Sequence, residues 1–372
     1  MRKIGITGQN GFIGKHLYNT LGLFPEEFQR IDFYKEYFEN DNKLDEFTAN
    51  CDVIIHLAAL NRHDNEQVIY ETNVGLAQKL VASLIRTNSK AHVMVSSSTQ
   101  EERDNLYGKS KKEGREALAN WAEEHGGTFT GLIIPNVFGP FGKPFYNSFV
   151  ATFCHQLTHG ERPTIAHDGD VKLVYVQELI DTVINEIREG NSKSVFFVEA
   201  TSTKKVSEVL SILNDYKAKY FDGGEIPVIK NSFEHNLFNT YRSYIDHKTH
   251  YPVKFTQHTD SRGAFVEVIR LGIGGQCSFS TTVPGITRGN HYHTRKIERF
   301  AVIKGKALIQ LRKIHSDEVL DFYLDGNEPA YVDMPIWYTH NIKNIGEEEL
   351  YTIFWINEAF DPNDSDTYFE VV

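Results

Sequence analysis

Through about the first 200 residues, short apolar runs alternate with longer stretches of mixed polarity. This is the pattern of strand and helix in turn, which builds a parallel sheet with helices on both faces. Ile4-Gly5-Ile6, Val53-Ile54-Ile55-His56-Leu57, Val93-Met94-Val95 and Gly131-Leu132-Ile133-Ile134 are short, rich in β-branched residues and bounded by turn residues, as strands covered on both faces are. Another strand is predicted over 28–31, and the stretches from Gly75 to Arg86 and from Lys109 to His125 predict helices. From Phe255 onward the runs are short and β-rich, with turns at Asp260-Ser261-Arg262-Gly263, Pro284-Gly285 and Asp325-Gly326-Asn327, which predicts an all-β barrel or jelly roll. The polar, histidine-rich stretch Asp246-His247-Lys248-Thr249-His250-Tyr251-Pro252 marks the join. The expected organisation is an α/β, doubly wound domain over 1–245 with a substrate-binding part from about 145, a linker over 246–254 and an all-β domain over 255–372.

A chain of 372 residues is long enough for two domains at roughly 100 to 200 residues each. Apolar residues make up 40% and charged residues 24%, which excludes disorder as the main state. A net charge of -11 and a pI near 5.8 repel a phosphate backbone, so no nucleic-acid partner is expected. Cys51, Cys154 and Cys277 form no C-x-x-C pair, so neither a disulfide framework nor a thiolate metal site is encoded. No apolar stretch of about 18 residues occurs, and MRKIGITG runs straight into a strand with no signal-peptide core. The expectation is a soluble cytoplasmic protein with no membrane partner.

The first strand leads into Gly8-Gln9-Asn10-Gly11-Phe12-Ile13-Gly14. Glycines at this spacing turn the backbone tightly and let a pyrophosphate approach the amides at the positive end of the following helix. Asp32 follows the second strand, 18 residues after Gly14, where an acid can hold a ribose hydroxyl; the alternative is a solvated loop acid. In Tyr107-Gly108-Lys109-Ser110-Lys111 the tyrosine and Lys111 are four residues apart, on one face of a helix. The cation there is expected to favour the phenolate, and Ser96-Ser97-Ser98 ends the strand just before. With His56-Leu57-Ala58-Ala59, these residues make the first 245 or so resemble the extended short-chain dehydrogenase/reductase family, the nucleotide-sugar epimerases, dehydratases and reductases. The resemblance implies a Rossmann fold and a nicotinamide cofactor bound by Gly8, Asn10, Gly11, Phe12, Ile13, Gly14, Asp32, Leu57, Ala58, Ala59, Tyr107, Lys111 and Pro135. It implies catalysis by Ser98 (Ser97 second), Tyr107 and Lys111, with Pro135-Asn136-Val137-Phe138-Gly139-Pro140 passing near the nicotinamide and Asn136 and Asn147 facing a sugar nucleotide. Only eight residues separate Ser98 from Tyr107, fewer than in most relatives, so a more open site is expected.

In the second half, His291-Tyr292-His293 is followed by Glu298, and His340 lies on a later strand with Asn344 after it. Three imidazoles and a carboxylate suit zinc or another divalent transition metal. With Gly305 and Pro335-x-x-Tyr338-x-His340-x-x-x-Asn344, residues 255–372 resemble the cupin family. Asp260-Ser261-Arg262-Gly263-Ala264-Phe265-Val266-Glu267 and Arg288-Gly289-Asn290-His291 also resemble the segments by which metal-free deoxysugar-nucleotide 3,5-epimerases bind substrate and present a general-base histidine. That second resemblance implies substrate contacts from Arg262 and Arg288, and leaves His291 claimed as both metal ligand and catalytic base. Over nearly its whole length the chain resembles a family of bifunctional capsular-polysaccharide and O-antigen enzymes of UDP-N-acetyl-L-fucosamine biosynthesis. What this implies is a UDP-2-acetamido-2,6-dideoxy-hexos-4-ulose substrate, epimerised at carbon 3 in the cupin and reduced at carbon 4 with NADPH, NADH not being excluded, in a homodimer built through the cupin. The alternatives are a reductase whose cupin only binds and dimerises, and a non-enzymatic, cofactor-sensing scaffold.

Overall fold

The computed structural model describes residues 1–260, 263–266, 268–269, 274–358 and 361–372. By packing, the chain forms two compact units, Met1–Thr152 with Ile165–Val206, and Phe153–Thr164 with Ser207–Val372.

The first unit is built on strands β1 (Arg2–Thr7), β2 (Phe28–Ile31), β3 (Val53–His56), β4 (His92–Ser98), β5 (Thr128–Ile134), β6 (Asn136–Phe138), β7 (Asp170–Tyr175), β8 (Lys193–Phe197) and β9 (Ser202–Lys205). Six of them form a parallel sheet in the order β2-β1-β3-β4-β5-β8, the doubly wound, Rossmann-type arrangement expected. The order reverses between β1 and β3, and ligands bind such sheets at the carboxyl ends of the strands flanking the reversal. The helices are α1 (Phe12–Leu21), α2 (Asp41–Asn50), α3 (Glu66–Arg86), α4 (Leu106–His125), α5 (Phe149–Thr158), which passes into the second unit at Phe153, and α6 (Val176–Glu189). α2, α3 and α4 pack side by side, and α1 packs with α6. Under the first layer lies a core that includes Phe33, Phe47, Leu80, Val93, Leu118 and Trp121. Two helices begin earlier than their apolar pattern predicts. Asn65 caps α3 by accepting from the Gln67 N–H (2.9 Å), and Asn105 caps α4 by accepting from the Gly108 N–H (2.7 Å). Such caps satisfy amides that a helix start leaves bare, so polar first turns join the helix without showing its apolar period.

The second unit carries α7 (Val206–Tyr216), α8 (Ser232–Arg242) and α9 (His247–His250), then β10 (Val253–Lys254), β11 (Gln257–Asp260), β12 (Gly263–Val266), β13 (Gln276–Thr282), β14 (Thr287–Tyr292), β15 (Glu298–Lys304), β16 (Lys306–Lys313), β17 (Val319–Asp325), β18 (Ala330–Met334), β19 (Tyr338–Asn344), β20 (Leu350–Ile356) and β21 (Tyr368–Phe369). Two five-stranded sheets, β10-β18-β15-β20-β13 and β17-β16-β19-β14-β21, have antiparallel neighbours throughout. This is the cupin-like, all-β half. Its core includes Val302, Ile309, Leu311, Val332 and Leu350; along β16 the buried Ala307, Ile309 and Leu311 alternate with residues facing away.

Sequence pattern and packing divide the chain differently. Residues 207–254 follow the α/β repeats in sequence but pack with the β sheets, and 246–254 includes helix α9 with His247 buried. The reason is a buried polar network. Asp333 of β18 takes two bonds from Arg299 of β15 (2.7 and 3.0 Å) and one from the Tyr220 hydroxyl (2.5 Å). The Tyr220 oxygen accepts from Arg242 Nε (3.3 Å), and Arg242 Nη2 donates to the Met334 carbonyl (2.8 Å). Asp333, Arg242 and Arg299 are all buried. Burial alone would raise the Asp333 carboxyl, but Arg299, then Arg242 and Tyr220, hold it below the usual carboxylate range. A depressed carboxylate stabilises the fold above its unfolded pKa of about 3.9, and that contribution is lost as pH falls through the folded value. Breaking such a pair from one side typically costs about 3–5 kcal/mol. Asp333→Asn is therefore expected to destabilise the second unit by that order at pH 7, with the difference from wild type shrinking below about pH 4. Urea unfolding read by the β-unit tryptophans tests this, and a loss under about 1 kcal/mol would contradict it.

Candidate functional site

At the end of β1, Gly8 has φ +79°, and a Cβ there would lie 2.8 Å from the Ala58 nitrogen. A Cβ on Gly14 would lie 2.3 Å from the Gly8 carbonyl oxygen. Both positions demand glycine because backbone meets backbone. The Leu57 N–H donates to the Thr7 carbonyl (3.0 Å) and the Ala58 N–H to Thr7 Oγ1 (3.4 Å), which draws Leu57, Ala58 and Ala59 against the turn. Asn10 and Gly11 complete the turn, and Phe12, Ile13 and Gly14 open α1. Its N-cap, Gly11, makes no side-chain bond, and its first turn holds no acid, so the positive helix end and its amides suit a pyrophosphate. Asp32 follows β2, exposed, and accepts from the Tyr18 hydroxyl (2.9 Å). Arg30 stacks on the Tyr18 ring (4.3 Å) and donates to its carbonyl (3.1 Å). An acid and a cation thus share the place where a dinucleotide's adenosine ribose would lie.

Further along the sheet, Ser98 stands close enough to Tyr107 to favour its ionised form, and its Oγ accepts from the Gln100 N–H (3.2 Å). Ser97 instead donates to Glu101, which separates the two serines and leaves Ser98 as the tyrosine's partner. Lys111 Nζ reaches Ser96 Oγ (3.4 Å), and the lysine is 8% exposed. The short connection from Ser98 to Tyr107 contains a 3₁₀ turn (Thr99–Glu102), and a Cβ on Gly108 would lie 2.1 Å from the Gln100 carbonyl oxygen. α4 therefore sits directly on that turn. Arg115 clamps it with bonds of 2.9 and 2.8 Å to the two Glu101 oxygens, in a buried ion pair. Asn73 of α3 ties the β3 exit to α4, accepting from the Leu60 N–H (2.7 Å) and donating to Ser110 Oγ (3.1 Å). His56, Ala58, Ala59, Asn73, Ser96 and Lys111 line a tight cavity here.

Burial, then the neighbouring Tyr146, pushes the Tyr107 phenol up to about 12 against the opposing influence of Ser98. The lowering expected from Lys111 is not among the influences on the phenol, and desolvation of the phenolate sets the direction. A tyrosine so placed keeps its proton at neutral pH and is suited to donate it. Burial lowers Lys111 to about 8, with Glu101 opposing. Tyr146 accepts from the Asn61 N–H (3.1 Å). Pro135 lies between β5 and β6; Asn136 is exposed and donates to the Lys172 carbonyl (3.3 Å), and Asn147 is exposed two residues before α5. Sequence reasoning missed Asn73, Ser96, Glu101, Arg115 and Tyr146. Asn73 leaves one trace, a polar residue on the buried stripe of α3 with Ile69, Ala77 and Leu80.

In the second unit, His291, His293, Glu298 and His340 each aim a ligand atom at one point, all within 4.8 Å of one another. A β-bulge between Gly289 (φ +98°) and His291 sets the end of β14, where His291 pairs with His340 of β19. Glu298 opens β15; its Oε2 lies 3.1 Å from His293 Nε2 and 3.2 Å from His340 Nε2. His340 is fully buried, yet its Nε2 completes no hydrogen bond, as expected of a lone pair meant for a cation. Burial, then His340 and His293, lowers His291 to about 4. Burial would raise Glu298, but the bond from His293 and the nearby His340 hold it well below the usual range. Unprotonated nitrogen and ionised carboxylate are the forms that bind metal, so the residues fit a divalent transition ion. Asn344 is not in the cluster; it donates to the Thr282 (2.7 Å) and Glu348 (2.8 Å) carbonyls. Arg288 is exposed and held by Thr282 Oγ1 (3.1 Å) and the Thr281 carbonyl (3.1 Å). Arg262 lies outside the described residues.

The family model of the NAD dependent epimerase/dehydratase family matches residues 4–197, more than half of the chain. The chain belongs to that family. The polysaccharide biosynthesis C-terminal domain matches 258–368. Over 369 residues, 98% of either chain, it is 31% identical to the UDP-2-acetamido-2,6-beta-L-arabino-hexul-4-ose reductase of Pseudomonas aeruginosa. Among solved structures, the capsular polysaccharide assembling protein CapF of Staphylococcus aureus aligns over all of both chains at 34% identity and a TM-score of 0.63. RMD from Pseudomonas aeruginosa, solved with NADPH, aligns over 59% of this chain and 83% of its own at 18% identity and a TM-score of 0.53, a likeness of fold.

A lysine depressed by burial opposes folding while the folded state still carries its charge. That penalty is complete below about pH 8 and disappears between there and the unfolded value of about 10.4. Lys111→Met is expected to be more stable than wild type at pH 7, with the gap closing as pH rises to about 10. Paired urea titrations at pH 7, 8.5 and 10 measure it, and a gap independent of pH would place the shift elsewhere.

Proposed function

We propose that this protein is a bifunctional nucleotide-sugar enzyme making a capsular-polysaccharide or O-antigen precursor of the UDP-N-acetyl-L-fucosamine type in the cytoplasm. Its substrate is a UDP-2-acetamido-2,6-dideoxy-hexos-4-ulose, epimerised at carbon 3 by the cupin-like unit and reduced at carbon 4 by the α/β unit with NADPH. The observation that carries this reading is the full-length likeness to a reductase of a UDP-hexul-4-ose.

The residues support each step. When bound, the dinucleotide supplies the hydride and a divalent ion supplies positive charge near the enolate that carbon-3 deprotonation creates. The glycine turn from Gly8 to Gly14 holds the pyrophosphate, and Asp32 with Arg30 receives the adenosine ribose. Asp32 favours NADH by repelling a 2′-phosphate, while Arg30 can pair with one. Tyr107 donates its proton to the carbon-4 oxygen, Ser98 holds that oxygen in line, and Lys111 places a cation beside them. Asn136 and Asn147 would contact the sugar nucleotide in the α/β unit, and Arg288 in the β unit. In the second unit His293, Glu298 and His340 hold the ion. His291, the most exposed of the four, is either their fellow ligand or the base that takes the carbon-3 proton. A homodimer through this unit is supported by edge strand β13, which presents Phe279, 72% exposed.

The two chemistries should separate by mutation. Tyr107→Phe is expected to slow reduction by about 100- to 10,000-fold with either NADPH or NADH, and still to exchange the carbon-3 hydrogen with deuterated water. His291→Ala should lose exchange while keeping dinucleotide binding. Mass spectrometry of the recovered sugar reads both. Exchange abolished equally by Tyr107→Phe would move proton abstraction to the α/β unit and leave the β unit as a binding and dimerisation module.

For the metal, protein purified without chelator should carry about one divalent ion per chain, lost on His340→Ala, and chelation should lower the unfolding temperature of the β unit. Elemental analysis finding no ion would return His291 to a metal-free role as base.

A further inference from the structure

We propose that the carboxy-terminal segment 361–372 is a strap that aims His293, with Asp366 as its positioning residue; this rests on the metal reading above. Asp366 is a charged residue only 4% exposed, and its carboxylate is saturated from one turn. Oδ1 accepts from the Thr294 N–H (3.0 Å) and the Thr294 hydroxyl (2.6 Å), and Oδ2 accepts from the N–H groups of Arg295 and Lys296 (both 3.0 Å). These residues join His293 to Glu298, so one side chain fixes the spacing between two members of the cluster.

The same residue also touches His293 directly. The Asp366 carbonyl lies 2.5 Å from His293 Nδ1. A carbonyl can only accept, so Nδ1 must carry the hydrogen, which leaves Nε2, 3.1 Å from the Glu298 carboxylate, as the ring atom that faces the cluster and would turn its lone pair to a bound ion. A partner that fixes the tautomer and ring plane of a ligating histidine typically changes metal affinity by about 10- to 100-fold. Asp366 holds this place with φ +41°, a conformation that few residues other than glycine adopt and that Asp tolerates better than most. The surrounding chain keeps it there. Arg295 bonds Asp364 (2.8 Å), Tyr368 and Phe369 pair with Tyr292 and His291, and the Glu370 N–H donates to the Asn290 carbonyl (3.0 Å). Arg312 closes the far end on Glu370 (2.9 Å). The strap thus runs beside His291 of β14, on the side away from β19, and on to His293 just after the strand.

The test is made on the full-length chain with Asp366→Asn and Asp366→Ala, each checked for folding by near-ultraviolet circular dichroism. Zinc affinity is measured by chelator competition, and the His293 tautomer by ¹⁵N shifts of the metal-free protein at alkaline pH, where the ring is neutral. Expected are affinity weakened about 10- to 100-fold and a His293 that no longer holds a single Nδ1–H tautomer, with Arg312→Ala giving a smaller change of the same sign. Wild-type zinc affinity together with an unchanged tautomer in both Asp366 variants would overturn the strap. If wild-type protein itself bound no zinc, the metal reading would fall, and the tautomer measurement alone would decide whether Asp366 aims His293.

Discussion

The buried carboxylate of Asp333 is the constraint on which the second unit turns. Stripping a carboxylate of water costs several kcal/mol, and only close, well-directed donors offset it. Here Arg299 meets it with two bonds and Tyr220 with a third. Arg242 brings a second guanidinium without a carboxylate of its own, held by Tyr220, Met334 and Asn239 oxygens. Side chains alternate across a strand, so Arg299 faces the helices while its neighbour Glu298 faces the metal cluster. Pairing Arg299 with Asp333 fixes β15 against β18, which sets Glu298 opposite Met334. A slip of one residue would turn Glu298 out and bury Arg299 among the histidines. The register of the candidate metal site is thus held from the other side of the sheet.

The α/β unit relies on contact where the β unit relies on charge. Gly8, Gly14 and Gly108 each stand where a methyl group would strike backbone, and these three approaches bring β1 to β3, α1 to its own turn and α4 to the end of β4. Tyr107 reaches Ser98 because Gly108, the next residue, lets the helix rest on the 3₁₀ turn. The short connection is itself held down by the buried ion pair of Glu101 with Arg115.

What the chain reveals before folding follows from range. β1, β3, β4 and β5 were legible because each is an apolar run that reports its own burial, and the glycine turn because its chemistry lies within seven residues. His291 and His293 were legible as a pair at strand spacing, and His340 through its surrounding motif. The starts of α3 and α4 were hidden by polar capping turns. Arg299 with Asp333, Glu101 with Arg115, and Asp366 with the turn after His293 are separated by 34, 14 and about 70 residues. Nothing local marks such partners, because the topology alone brings them together. The attachment of 207–254 to the β sheets was missed for the same reason.

The two candidate sites make opposite demands on a proton, and burial meets both. Reducing a ketone needs a group that still holds its proton at neutral pH, and epimerising beside a ketone needs one that does not. Desolvation always favours the neutral form. It raises a phenol, so Tyr107 stays protonated, and lowers an imidazole, so His291 has a free lone pair for a proton or a metal ion. The chemistry also fixes an order on the proposed reading, since the carbon-3 hydrogen is acidic only while carbon 4 is a ketone. The β unit must therefore act on the substrate before Tyr107 does, although it follows in the chain. Reduction then removes the activating carbonyl and makes the inversion permanent.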